Sequence, residues 1–377
     1  MKILVIDDNY PSLTNLYGDV FAHVRIKEYK KKYIDTIVAA KLTSLGENYT
    51  YEDIEVVSCN NDMKVLHTTI ATFQPTIILI HFATFPIIKQ VVFKYSVPFI
   101  IWVHGFEALG WYRRIFNFTT IAHFLRYIKG NMVQLFYFRK LIKFANKSSE
   151  VTLVFVSEWM KKIAETDCFA KVDKYKIIAN PINNHLFFPE EKPAELRKHI
   201  LMIRPFSSKK YGTDIVTEAM LLLQQKPIFK ELQFTIYGAG AFTSPLYQAF
   251  KDCNNVQIHE GFLKQTEVKA LHSKHGVFFA LTRQDAQGVS MCEAMSSGLV
   301  PITSNNSAIP EFVQDGYSGI LTNNKPEEVS AAIEKLVLEP ALFSKLSKQA
   351  AAAIILKTGI DNVASQEITL IEQHLKK

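Results

Sequence analysis

Apolar residues along this chain fall into short runs separated by longer stretches in which they return every three or four positions. In the first half, Lys2–Ile6, Glu55–Ser58, Thr76–His81, Pro98–His104 and Thr152–Ser157 read as buried strands. Between the first two of these, Val20 to Lys41 reads as a helix with a lysine-rich face. A second series follows: His199–Ile203, Leu232–Tyr237, Val256–His259, Val277–Leu281, Leu299–Thr303 and Gly319–Leu321. Strand-like runs alternating with helical ones predict an α/β fold with parallel sheets and crossover helices. At 377 residues the chain exceeds what one core comfortably holds, so two domains are expected. Asn180-Pro181-Ile182-Asn183, then Phe187-Phe188-Pro189 and the polar EEKPAELRK, reads as the linker. The expected division is 1–190, 191–360 and a terminal amphipathic helix over 361–377.

The most chemically suggestive stretch is Asp285 to Gly298, DAQGVSMCEAMSSG. Asp285 and Glu293 flank a small turn, Gly288-Val289-Ser290. Met291, Ala294 and Met295 then resume helical spacing until Gly298 ends the pattern as a C-cap glycine would. The order is strand, loop, helix, strand, and in an open α/β sheet such a loop lies at the carboxyl end of the strands, where ligands bind. The helix's first amides and its dipole suit an anion such as a diphosphate. Ser290-x-x-Glu293 also has the form of a capping box, with Glu293 bonding back to the helix start. Elsewhere, His104 ends the strand PFIIWV, where a histidine could orient or polarise a hydroxyl, with Glu107 as a companion. Tyr237-Gly238-Ala239-Gly240 is a strand followed by GxG, but Thr243 stands where a dinucleotide fingerprint has its third glycine.

Acid, seven residues, glutamate, Ala-Met and Gly resembles the E-x7-E motif of glycosyltransferase family 4. These are retaining enzymes of GT-B architecture, two Rossmann-like domains facing each other across a cleft, with a C-terminal helix crossing back to the first. Ile309-Pro310-Glu311-Phe312-Val313 with Asp315-Gly316 and Gly319 resembles the family's next block. The resemblance implies that Glu293 binds the donor ribose and Asp285 the donor sugar; the family usually has glutamate at the latter position. It implies that Arg204 and a following lysine, Lys210 rather than Lys209, neutralise the donor diphosphate with the amides near Gly288, Val289 and Ser290. It places backbone near the nucleotide at Gly238, and the turn that reads the nucleobase at Gly261-Phe262. The family's glycine-rich loop after the first strand is missing here; Gly18, in Tyr17-Gly18-Asp19, is its candidate remnant on the acceptor side. The donor implied is a nucleoside diphosphate sugar, with UDP first among the nucleotides and no cofactor or metal. The acceptor implied is a saccharide or lipid-linked saccharide of cell-surface polysaccharide synthesis. A sugar-nucleotide epimerase of similar fold, or an inactive sugar- or partner-binding homologue, is the alternative.

Charge adds a location. Residues 1–190 hold 23 Lys and Arg against 17 Asp and Glu, or +6 of the chain's +7. From Trp111 to Lys147 there is no acidic residue, while eight cations alternate with aromatic rings. That composition suits the interface of an anionic membrane; nucleic acid could use similar chemistry, but the sugar-nucleotide signature argues against it. The first residues are too short for a signal peptide, and no run approaches a membrane span. Four scattered cysteines suggest neither a disulfide framework nor zinc. A cytoplasmic protein, peripheral on the inner face of a membrane, is expected.

Overall fold

The computed structural model describes residues 1–13, 15, 18–33, 37–42, 46–118 and 120–375. They form two compact units, one of Met1–Pro181 with Ile360–Lys377 and one of Ile182–Gly359. Tyr17 lies outside the described residues, so the loop around Gly18 is read from Gly18 and Asp19 alone.

The first unit is built on β1 (Ile3–Asp7), β2 (Ile37–Lys41), β3 (Tyr49–Tyr51), β4 (Ile54–Ser58), β5 (Ile77–His81), β6 (Phe99–Val103), β7 (Val151–Phe155) and β8 (Tyr175–Ile177). Their order in the sheet is β3-β4-β2-β1-β5-β6-β7-β8, parallel throughout except that β3 runs against β4. Central strands covered on both faces must be apolar without alternation, as ILVI, IILI and FIIWV are. The helix expected over Val20–Lys41 ends at Lys32, and Ile37–Lys41 is a strand paired with β1. Ala39 and Ala40 suit either element, and burial between β1 and β4 decides for the strand.

The second unit carries β9 (His199–Ile203), β10 (Gln233–Gly238), β11 (Val256–Glu260), β12 (Val277–Ala280), β13 (Val300–Ser304) and β14 (Ile320–Thr322), all parallel. Their order is β11-β10-β9-β12-β13-β14. The chain winds outward from β9 in one direction and from β12 in the other. The carboxyl ends of β9 and β12 are therefore the switch point where this class of sheet opens a crevice.

The terminal helix, Ile360–Leu375, joins the first unit through a buried ionic cluster. Glu367 accepts from Tyr29 Oη at 2.5 Å and Trp102 Nε1 at 3.1 Å, and lies 3.3 Å from Arg25 Nε. Both charged side chains are fully buried. Burial pushes the Glu367 carboxyl up, and Arg25 opposes that shift. Removing one member of such a pair leaves the other charge uncompensated. Glu367→Ala should therefore lower the unfolding free energy by about 3–5 kcal/mol, read from urea denaturation. A loss below about 1 kcal/mol would mean the cluster contributes little to holding the helix.

Candidate active site

At the switch point of the second unit, Arg204 follows β9 directly. Its Nη2 donates to the Ala280 carbonyl at the end of β12, 3.2 Å away, while its Nε is buried without an acceptor. The Tyr211 ring centre lies 5.9 Å from the Arg204 guanidinium and 5.2 Å from Lys210 Nζ, so one aromatic ring serves both cations. The Lys210 carbonyl accepts from the Arg283 amide at 2.8 Å and from Thr282 Oγ1 at 3.1 Å. Arg283 in turn grips Asp214 through two 2.8 Å bonds. These bonds fix the loop that presents Lys210, whereas Lys209 is exposed.

The GxG after β10 has a local cause. A Cβ on Gly238 would lie 2.1 Å from the Arg204 carbonyl oxygen, and one on Gly240 would lie 2.4 Å from the Phe206 carbonyl carbon. What these glycines let close is the Arg204–Ser207 backbone, so they hold the arginine in place. After β11, Gly261 has φ +134° with nothing within 4 Å of where a Cβ would lie, and Phe262 is 65% exposed.

The helix Val289–Ser296 begins on Gly288, whose φ of +81° places it in the left-handed region. Gly288 is the N-cap and no side chain caps the helix, so Ser290 and Glu293 do not form the capping box that their spacing allows. Asp285 supports the turn instead: its Oδ1 accepts from the Gly288 amide at 3.0 Å and the Gln287 amide at 3.3 Å. At the other end Gly298, φ +85°, donates to Met295 O while Leu299 donates to Ala294 O. That is the Schellman pair the glycine implied. The Val289 and Ser290 amides fall in the first turn, where no intrahelical acceptor exists. Glu293 takes no hydrogen bond from any described residue, and desolvation pushes its carboxyl up to about 8. Its side chain is half-buried, and a carboxyl there with no donor is an incomplete site.

In the first unit, His104 follows β6, and its backbone amide and that of Gly105 donate to the two oxygens of buried Glu107, at 3.0 and 2.8 Å. Glu107 thus shapes the turn that carries His104. His104 Nε2 lies 3.0 Å from His81 Nδ1, which also faces Arg25 Nη1 at 3.3 Å. A guanidinium only donates. His81 Nδ1 must then accept, His104 Nε2 must donate, and the lone pair of His104 sits on Nδ1, which is buried without a partner. Burial and the Arg25 charge hold both imidazoles well below the usual histidine range, hence neutral. Gly18 is buried, and a Cβ there would lie 2.4 Å from Asn9 O, so it permits its loop to lie on residues 9–11. Nearby, burial raises the carboxyls of Asp7 and Asp19, the latter to about 7. Among the described residues, no group of three or more His, Cys, Asp or Glu side chains is placed to hold a metal ion.

Sequence reading passed over His81, Arg25 and Asp19. His81 carried the same signal as His104, a histidine closing an apolar strand, and β5 and β6 are neighbours. Arg25 gave no signal among the lysines of its helix.

Asp285→Asn keeps an oxygen for the Gly288 amide and removes only the charge. If that charge meets the reacting part of a ligand, turnover should fall at least tenfold with nucleotide affinity and melting temperature unchanged. Equal losses in affinity and turnover would reduce Asp285 to a brace of the turn.

Comparison with known proteins agrees with this architecture. Residues 184–353 match the family described as Glycosyl transferases group 1. The amylovoran biosynthesis glycosyltransferase AmsK of Erwinia amylovora is 27% identical over 194 residues, which is 49% of this chain and 46% of that protein. The match thus spans about half the length of that curated relative. HepE of Anabaena, solved with UDP and glucose, superposes with a TM-score of 0.71 at 15% identity, over 99% of both chains. Sucrose-phosphate synthase of Thermosynechococcus elongatus superposes at 0.78 and 12% identity, over all of both chains. The fold is the GT-B architecture, and the match to Glycosyl transferases group 1 covers residues 184–353 of it.

Proposed function

We propose that this protein is a retaining glycosyltransferase that moves a hexosyl group from a nucleoside diphosphate sugar, UDP-linked, to a saccharide or lipid-linked saccharide in cell-surface polysaccharide synthesis. The observation that carries the reading is Glu293: a desolvated carboxyl without a donor, on the helix whose first turn offers free amides. Two ribose hydroxyls supply the donors it lacks. Arg204, Lys210 and the amides of Val289 and Ser290 meet the diphosphate, compensating the negative charge that develops on the leaving group. Asp285 meets the sugar, and Gly261 with Phe262 meets the base. On the acceptor side, the Nδ1 lone pair of neutral His104 accepts a hydroxyl proton, in a turn shaped by Glu107. The HepE complex with UDP and glucose and the biosynthetic role of AmsK support the donor and pathway.

Purified protein should transfer labelled hexose from a UDP-sugar to a saccharide acceptor, with the anomeric configuration kept, as read by NMR of the product. Conversion of the donor with no acceptor present would identify an epimerase, and donor binding without turnover an inactive homologue.

Glu293 makes a pH signature. Its folded pKa of about 8 exceeds the ordinary value of 4.5, so its contribution to stability is fully present below about 4.5 and is lost as pH rises through 8. The charge-assisted bond to ribose needs the ionised form. UDP affinity should therefore rise between pH 6 and 8, by up to about tenfold per unit. Glu293→Gln should bind UDP more weakly by roughly 1.5–3 kcal/mol at pH 8 and show a flatter profile. Parallel profiles for the two proteins would remove Glu293 from the nucleotide site.

We also place the protein on an anionic membrane surface. No described helix is long and apolar enough to cross one. The helix Ile121–Lys147 buries Phe138, Leu141 and Ile142, yet leaves Ile121, Leu125, Met132 and Phe136 exposed on a separate stripe among its cations. Basic residues near such a surface are worth about 1 kcal/mol each. Reversing Arg139, Lys140 and Lys143 together should weaken sedimentation with acidic vesicles over about a hundredfold. Wild-type protein that ignores such vesicles at low salt would assign these side chains to the fold alone.

A further inference from the structure

The helix Glu158–Cys168 ends on a residue that its backbone does not favour. The Phe169 amide donates to the Thr166 carbonyl at 3.4 Å and the Ala170 amide to the Glu165 carbonyl at 3.2 Å. This is a Schellman pair with Phe169 in the left-handed position, at φ +49° and ψ +48°. Glycine is the usual occupant, because a Cβ there crowds the following carbonyl. In the second unit the same motif closes the helix Val289–Ser296 with Gly298 in that place.

The ring gains no burial in return. Phe169 is 79% exposed, whereas Cys168 before it and Val172 after it are each 2% exposed. Nor is the segment a loose end. The Val172 amide donates to Glu165 Oε1 at 2.9 Å, Asn146 Nδ2 donates to the Lys171 carbonyl at 2.8 Å, and the Asp173 amide donates to Asn146 Oδ1 at 2.9 Å. These bonds pin the backbone on both sides, so the ring is held out in water. A single exposed phenylalanine needs no explanation, but one that also strains its backbone does.

Its surroundings point to what covers it. Asn146 belongs to the last turn of the helix Ile121–Lys147, and Arg139 of that helix lies near enough to Cys168 for its charge to act on the thiol. Phe169 therefore borders the helix that exposes Phe136, Arg139, Lys140 and Lys143. Lys162 and Lys171 add exposed cations on the segment itself. The acids closest in sequence are engaged: Glu165 by Lys161 at 3.0 Å, Asp167 by Arg113 at 2.7 Å and Asp173 by Lys171 at 3.8 Å. An aromatic ring held out beside cations matches a bilayer of anionic lipids, apolar below and negatively charged at its surface.

We propose that Phe169 is the inserted residue of the membrane contact, its ring entering the acyl region while Arg139 and its neighbours stay with the headgroups. The proposal rests on the membrane placement above and adds a depth and a second point of contact to it. The bilayer meets the first unit at the end of the helix Glu158–Cys168 as well as along Ile121–Lys147.

The full chain is sedimented with vesicles of phosphatidylglycerol and phosphatidylcholine. Phe169→Gly should weaken partitioning tenfold or more, while its melting temperature without vesicles holds or rises, because glycine relieves the backbone. A purely structural side chain cannot give that pair of effects. Phe169→Trp should bind as wild type, and brominated acyl chains should quench its emission beyond that of the three native tryptophans. Phe169→Gly that partitions as wild type, or an unquenched Phe169→Trp on a chain that does bind, would overturn the proposal and leave the membrane placement standing. So would a fall in melting temperature with Phe169→Gly, or a wild-type dimer that this change dissociates, because the ring would then serve the fold or a second copy. Wild-type protein that ignores the vesicles at low salt would remove the placement and the proposal together.

Discussion

A buried guanidinium needs acceptors close by, and Arg25, fully buried, sets that condition for the first unit. Its partners come from distant parts of the chain: Glu367 on the terminal helix, Asn180 after β8, and His81 at the end of β5. Each partner is itself tied to something else. Glu367 collects Trp102 from β6 and Tyr29 from the arginine's own helix. His81 passes the constraint to His104. One side chain that can only donate thereby decides which helices and strands must converge and which nitrogen of a histidine two steps away keeps its lone pair.

The second unit follows the opposite logic around Glu293. Here a half-buried carboxyl is left without a donor, so the fold carries a cost that a ligand can relieve. The surrounding loops are heavily braced by comparison. Arg283 and Asp214 hold the segment before helix Thr213–Gln224, Asp285 holds the turn at Gly288, and Asn306 and Asn324 both donate to the Thr282 carbonyl at 2.9 Å. A rigid frame around an unsatisfied group is the arrangement that preorganised electrostatic sites use.

Much of this was legible in order of locality. Continuous apolar runs gave the strands, because central parallel strands are buried on both faces, and Gly298 marked a helix end through a purely local hydrogen-bond pattern. Where two local rules overlapped, the sequence alone was ambiguous. Ser290 and Glu293 had capping-box spacing, but the helix starts at Gly288, which leaves Glu293 a full turn inside. Residues 37–41 were read as the end of a helix, and pairing with β1 makes them a strand. Arg25 was illegible for a different reason. Its partner Glu367 is 342 positions on, and no window along the chain contains both. The glycines after β10 were read as an approach to nucleotide; the structure adds that a Cβ on either would strike the backbone between Arg204 and Ser207.

That the terminal helix belongs to the first unit has a consequence for the order of events at the ribosome. Domains generally fold as units, the N-terminal one first, while synthesis continues. Here the first 181 residues emerge with Arg25, Tyr29 and Trp102 in place but without Glu367, so their most demanding buried charge lacks its counterion. The intervening unit, Ile182–Gly359, is contiguous and can complete its sheet before the last helix is made. The second unit would thus mature before the first, and nascent chains stalled ahead of residue 367 should hold an N-terminal sheet with part of one apolar face uncovered, a target for chaperones.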